Sequence, residues 1–170
     1  MFVRNVFLVT DCKTRLNDPS RIHDNFGVAL LLWLKQMFFF LTRSEQISCA
    51  HSLFDPKVST QESNQIFGKC TNLHGHNYTI IVTVRGEKLI NGMLMNTNTL
   101  KEYIMKVILP LDHSNLNDHP YFSDKPSTTE CLTQYIFTKL QELINSHENV
   151  ELSEVEIKET DKNTVKIKSK

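Results

Sequence analysis

The sequence predicts an α+β domain: an antiparallel four-stranded sheet with two helices packed on one face. Three observations carry this reading. Tyr78, Ile80, Val82 and Val84 alternate with Thr79, Ile81, Thr83 and Arg85, the period-two pattern of a strand. Leu100, Ile104, Val107 and Ile108, and further on Leu132, Ile136, Leu140 and Leu143, recur at helical spacing and form two apolar stripes. Finally, charged and apolar residues alternate from Glu154 to Lys158, and Asp161-Lys162-Asn163 turns the chain into Thr164 to Lys168, a closing hairpin.

The first strand opens at Phe39-Phe40-Leu41-Thr42-Arg43. Further along, Ile47, Cys49 and His51 share one face, because side chains two apart on an extended backbone point the same way. After the strand through Arg85, Asn91-Gly92 marks a tight turn into a short strand, Met93 to Met95. Asn98 is the expected N-cap of the first helix. Pro110 is expected to end that helix, which leaves Asp112 and His113 just beyond its C-terminal end. Ser127-Thr128-Thr129-Glu130 has the form of a capping box for the second helix, with Ser127 as N-cap and Glu130 at the third helical position.

A chain of 170 residues builds one domain with a real core and is short for two. Lys plus Arg equals Asp plus Glu at 19 each, so the basic excess of a nucleic-acid binder is missing. Cys12, Cys49, Cys70 and Cys131 show no disulfide-framework spacing, which points to reduced thiols and a cytoplasmic protein. The apolar run from Val28 to Leu41 is shorter than a membrane span needs and is broken by Lys35 and Gln36, so a membrane anchor is disfavoured. Residues 1–38 read as an atypical, partly apolar N-terminal extension and residues 39–170 as the functional domain.

The chemistry concentrates in Cys70-Thr71-Asn72-Leu73-His74-Gly75-His76-Asn77-Tyr78. His74 and His76 lie two apart at the start of a strand and can share one metal ion, with His51 as the third ligand. Three imidazoles and an open position make a catalytic zinc site, whereas Cys70 as a fourth ligand would close a structural one. From the residues alone both stand. Asp112-His113 is either an acid–base pair or a helix-terminal turn. Glu130 serves as a helix cap, a site residue or both. Glu159 falls on the apolar face of Val155 and Ile157, where a carboxylate needs a partner, unless the strand end slips and leaves it in solvent.

These strings resemble the 6-pyruvoyl tetrahydropterin synthase family. Phe67-Gly68-Lys69-Cys70 leads into the histidine pair as that family's active-site loop does. Gly92-Met93-Leu94-Met95-Asn96, Leu111-Asp112-His113-Ser114-Asn115-Leu116, Ser127-Thr128-Thr129-Glu130 and Lys158-Glu159-Thr160 follow in the family's order, covering about Phe40 to Lys168. The resemblance implies the tunnelling fold, with sheets joined edge to edge into β-barrel trimers and two trimers stacked as a homohexamer. It implies a pterin substrate, 7,8-dihydroneopterin triphosphate, and Zn2+ on His51, His74 and His76. It implies Cys70 as the base, Asp112 and His113 as a proton relay from the neighbouring subunit, and Glu159 as the pterin anchor. Thr128, Thr129 and Glu130 would line the pterin pocket. The expected product is 6-pyruvoyl tetrahydropterin, on the way to tetrahydrobiopterin.

Three features depart from the animal pattern. Only three residues separate Cys70 from His74, and this spacing and Leu116-Asn117-Asp118 resemble the bacterial 6-carboxytetrahydropterin synthases. Ser52 stands where the family usually has arginine. The alternatives are therefore a 6-carboxytetrahydropterin synthase or a catalytically silent zinc- and pterin-binding homologue.

Overall fold

A computed structural model describes residues 37–170. The chain runs as β1 (Phe39–His51), α1 (Thr60–Phe67), β2 (His74–Gly86), α2 (Thr97–Ile108), β3 (Ser114–Asn115), α3 (Thr129–Ile144), β4 (Glu151–Lys158) and β5 (Thr164–Lys168), with short 3-10 turns between. The strands form one sheet in the order β3-β1-β2-β4-β5. Up to residue 36, the expected extension and the apolar run lie outside the described residues.

The α+β architecture holds, but the sheet has five strands and is mixed, not four strands and antiparallel. The added strand is β3, whose two residues pair parallel with Cys49 and Ala50 of β1. A two-residue strand is too short to leave any periodicity in a sequence.

β1 and β2 form a long antiparallel ladder, from Phe39↔Gly86 to His51↔His74. One face of this ladder builds the core. Tyr78, Ile80, Val82 and Val84 are buried against Leu100, Ile104 and Ile108 of α2 and Leu132, Ile136 and Leu140 of α3. Each such side chain contributes about 1.5–3 kcal/mol on full burial. β4 joins this face with a change of phase. Val84 pairs with Leu152 but Thr83 with Glu154, so Ser153 is an extra residue. Leu152, Val155 and Ile157 are all buried as a result, which strict alternation does not allow.

Several boundaries move. The N-cap of α2 is Asn96, whose side chain accepts from the Asn98 backbone, and not Asn98 itself. The N-cap of α3 is Thr128 rather than Ser127, so Glu130 sits one position earlier than a capping box requires. Ser127 is instead fully buried, where its side chain and carbonyl serve the site described below. Pro110 lies inside a 3-10 turn, Leu109–Leu111, that follows the end of α2. In place of a strand at Met93 to Met95 there is a single bridge, Ile90↔Met93. Helix α1 was not expected. It carries the genuine capping box, in which Ser59 and Glu62 satisfy each other's backbone N–H.

Candidate active site and metal centre

The β1–β2 register sets the site. His51 faces His74 directly across the ladder and Cys49 faces His76, so the three imidazoles share the helix-facing side. Their ligand atoms all lie within 4.8 Å of one another, a group that can hold a metal ion. Gly75 lies between the two β2 histidines, and a Cβ there would sit 3.1 Å from the Cys49 carbonyl oxygen. Glycine lets the ladder close at the triad.

Two backbone carbonyls orient the rings. Nδ1 of His51 donates to the Ser127 carbonyl at 2.7 Å, and Nδ1 of His74 donates to the Asn72 carbonyl at 2.7 Å. A carbonyl only accepts, so both protons sit on Nδ1 and each Nε2 keeps its lone pair. Burial lowers the His51 pKa, with His74 and His76 adding to the effect against the pull of the Ser127 carbonyl and Glu159. A buried ring that resists protonation keeps its lone pair. The donor set therefore fits a borderline-soft divalent metal held by three nitrogens. Cys70 is not part of this donor group.

Cys70 instead lines the cavity in front of the triad. That cavity, about 470 Å³, is formed by His51, His74, His76, Cys70, Lys69 and Glu159 together with Leu53, Thr160 and Asn163. The 3-10 turn Gly68–Thr71 carries the cysteine, and Leu53 N–H donates to its carbonyl at 2.8 Å. Glu159 follows β4 on the face of Val155 and Ile157, as the alternation predicts. Its Oε1 accepts from the Thr129 hydroxyl at 2.6 Å and lies 3.9 Å from Nε2 of His76. A second cavity of about 530 Å³ adjoins, sharing Leu53, Glu159 and Asn163 and adding Thr128, Thr129, Glu130 and Lys162. Thr128 also caps α3, its hydroxyl accepting from the Cys131 backbone.

Asp112 and His113 line neither cavity. They stand beside β3, on the edge of the sheet. His113 takes a left-handed backbone with φ 57°, and this turn lets neighbouring side chains meet, with Nδ1 of His113 at 3.0 Å from Oδ2 of Asp112. The other oxygen of Asp112 accepts from the Ser48 N–H at 2.8 Å, the first cause of its lowered pKa, with His113 adding to it. The His113 side chain is 81% exposed and available to something outside this chain.

Sequence reasoning passed over Tyr78 as a site residue. Its hydroxyl is buried 3.4 Å from Nε2 of His51, and burial, then Glu159, pushes its pKa up, so it stays neutral. The signal was present: Tyr78 is two residues beyond His76 on the same face. The Ser127 and Asn72 carbonyls carried no such signal, since every residue has one.

The sequence model of the family described as 6-pyruvoyl tetrahydropterin synthase matches residues 40–170. The chain belongs to this family. The 6-pyruvoyl tetrahydrobiopterin synthase of Drosophila melanogaster is 45% identical over 136 residues, covering 77% of this chain and 80% of the relative. The 6-carboxy-5,6,7,8-tetrahydropterin synthase of Bacillus subtilis is 36% identical over 116 residues, covering 65% and 71%. Among solved structures, Caenorhabditis elegans 6-pyruvoyl tetrahydropterin synthase superposes with a TM-score of 0.73 at 34% identity, covering 79% of this chain and 98% of that one. Membership in the 6-pyruvoyl tetrahydropterin synthase family makes the chain an enzyme of the lyase type.

Proposed function

We propose that this chain is a zinc-dependent 6-pyruvoyl tetrahydropterin synthase. It converts 7,8-dihydroneopterin triphosphate into 6-pyruvoyl tetrahydropterin and triphosphate in tetrahydrobiopterin synthesis. The observation that carries the reading is one cavity that joins a three-histidine donor set, a thiol outside that set and a half-buried carboxylate. The donor set has the composition of a catalytic zinc site, with three protein ligands and room for a fourth. Zinc bound there supplies a Lewis acid that makes the carbons bearing the side-chain hydroxyls easier to deprotonate.

The chain's own residues do the rest. Glu159, fixed by the Thr129 hydroxyl, presents a carboxylate to the amino group and ring N–H of the pterin, two parallel donors. This holds the side chain of the substrate toward the histidines. Cys70 takes the carbon-bound proton as the general base. Triphosphate leaves, and the pterin ring gains the reducing equivalents that the side-chain carbons lose, so no external oxidant is needed. Asp112 holds His113 to return a proton, and their place away from the cavity supports a relay delivered by a neighbouring subunit.

The sheet supports assembly. β5 is an outer strand, and on the other side β1 has no strand beside Phe39 to Ile47 among the described residues. Joining such edges between copies removes unpaired backbone, consistent with a homohexamer of two trimers. Residues 39–170 are the catalytic unit in this reading, and the location is cytoplasmic. No helix among the described residues is long and apolar enough to cross a membrane.

The short spacing between Cys70 and His74 favours a second reading, 6-carboxytetrahydropterin as product, because it tightens the approach of the thiol to the substrate side chain. The test is mass spectrometry of the pure protein incubated with dihydroneopterin triphosphate. The expected result is 6-pyruvoyl tetrahydropterin with stoichiometric triphosphate. Acetaldehyde released in step with triphosphate would assign the carboxy product, and no turnover by a metal-loaded protein would assign a silent homologue.

A further inference from the structure

We infer that Asn117 is a positioning residue for the metal centre, acting on His51 through the backbone of Ser52. This deepens the metal reading above and rests on it. His51 is the last residue of β1, and β3 covers only Cys49 and Ala50 on the outer side of that strand. Just past His51 the ladder therefore ends, and the N–H and C=O of Ser52 have no strand to meet there. The side chain of Asn117 takes the strand's place. Its Oδ1 accepts from the Ser52 N–H at 2.7 Å and its Nδ2 donates to the Ser52 carbonyl at 2.8 Å, so one primary amide mimics a paired peptide group.

The clamp is itself anchored. Leu116 beside it is fully buried, and the Asn117 N–H donates to Oδ1 of Asn115, a residue of β3, at 3.2 Å. The Ser52 carbonyl also accepts from the Ser127 hydroxyl at 3.3 Å, and the carbonyl of that same Ser127 receives the His51 Nδ1 proton. Asn117, Ser52, Ser127 and His51 thus form one closed network. It fixes both the backbone that carries the ligand and the carbonyl that orients its ring. An imidazole can be aimed only as well as its Cα is held, and outer partners of metal ligands shape affinity and geometry.

An amide is needed here because the two contacts are opposite in kind, one accepted and one donated. Asn117→Ala removes both. Asn117→Asp keeps the acceptor for the Ser52 N–H but turns a second oxygen toward the Ser52 carbonyl, two acceptors that repel, so it too loosens the clamp. Zinc affinity is read by chelator competition on the full chain, and site geometry by the visible absorption of the cobalt(II)-loaded protein. Melting of the metal-free proteins gives the structural baseline.

The expected result is zinc binding weakened about tenfold or more in Asn117→Ala and also weakened in Asn117→Asp, with altered cobalt bands in both. If Asn117→Ala does not fold, the Asn117→Asp protein carries the test by the same two readouts. Unchanged zinc affinity and cobalt bands in a folded variant would overturn the inference and leave the metal site standing. A wild-type chain that takes up no zinc would overturn the metal reading and this inference with it.

Discussion

At His51 burial and a backbone carbonyl act together: burial lowers the ring's pKa, and the Ser127 carbonyl draws the single proton to Nδ1. The Asn72 carbonyl likewise draws the His74 proton to Nδ1, whereas Cys70 faces the cavity without joining the donor group. Two substitutions separate these roles. In His74→Ala two nitrogens remain, too few for a catalytic zinc site, so zinc content by atomic emission and turnover should fall together. In Cys70→Ala zinc should stay near one per chain while turnover drops by about a hundredfold or more, the scale of a lost general base. Metal loss in Cys70→Ala would instead make the thiol a ligand. The triad and the face of Glu159 were legible because both rest on local spacing, and two-residue periodicity survives in any strand, whereas spacing alone left Cys70 open between ligand and base. Asn117 and Ser127 were not, because they reach His51 across 66 and 76 residues of chain, and only the fold brings them there.

The elements themselves were legible where their patterns were long. The stripes of α2 and α3 and the alternation of β2 each repeat often enough to outvote local exceptions. Shorter signals misled. Ser127 to Glu130 resembles a capping box, yet burial of Ser127 shifts the cap to Thr128, while the true box at Ser59 and Glu62 opens an eight-residue helix with little apolar character. The extra residue Ser153 also breaks the phase of β4, so alternation read backward from Ile157 would place Leu152 on the wrong face. The end of β2 near this irregularity is packed closely: a Cβ at Gly86 would collide with the Asn149 carbonyl and approach the Leu94 side chain. Gly86→Ala should therefore cost about 1–3 kcal/mol in urea unfolding, the scale of an overpacked core. Zinc content of the folded fraction should be unchanged, since Gly86 lies at the far end of the ladder from His51.

For the whole molecule the sequence carries least, because assembly depends on edges and surfaces that leave no periodicity. The structure leaves Asp112 and His113 outside both cavities, with His113 turned outward by a left-handed backbone, while Cys70 faces the histidines. Under the proposed relay, a neighbouring copy brings this pair to the thiol. Mixing two inactive proteins tests the point. Cys70→Ala lacks the base but keeps an intact Asp112-His113 pair, and His113→Ala has the converse defect. If each site draws its thiol from one subunit and its imidazole from a neighbour, dissociating and reassembling an equal mixture makes some sites fully wild-type. Random assembly should restore about a quarter of wild-type turnover, since half of the thiol donors are intact and half of their neighbours are. Zinc content should be near wild-type in both parents, because neither residue belongs to the donor group. If thiol and imidazole act within one subunit, each site in the mixture still lacks one of them, and turnover stays at the level of the parents. That outcome would require the edge beside β3 to fold toward the cavity of its own chain, and the inter-subunit relay would be abandoned.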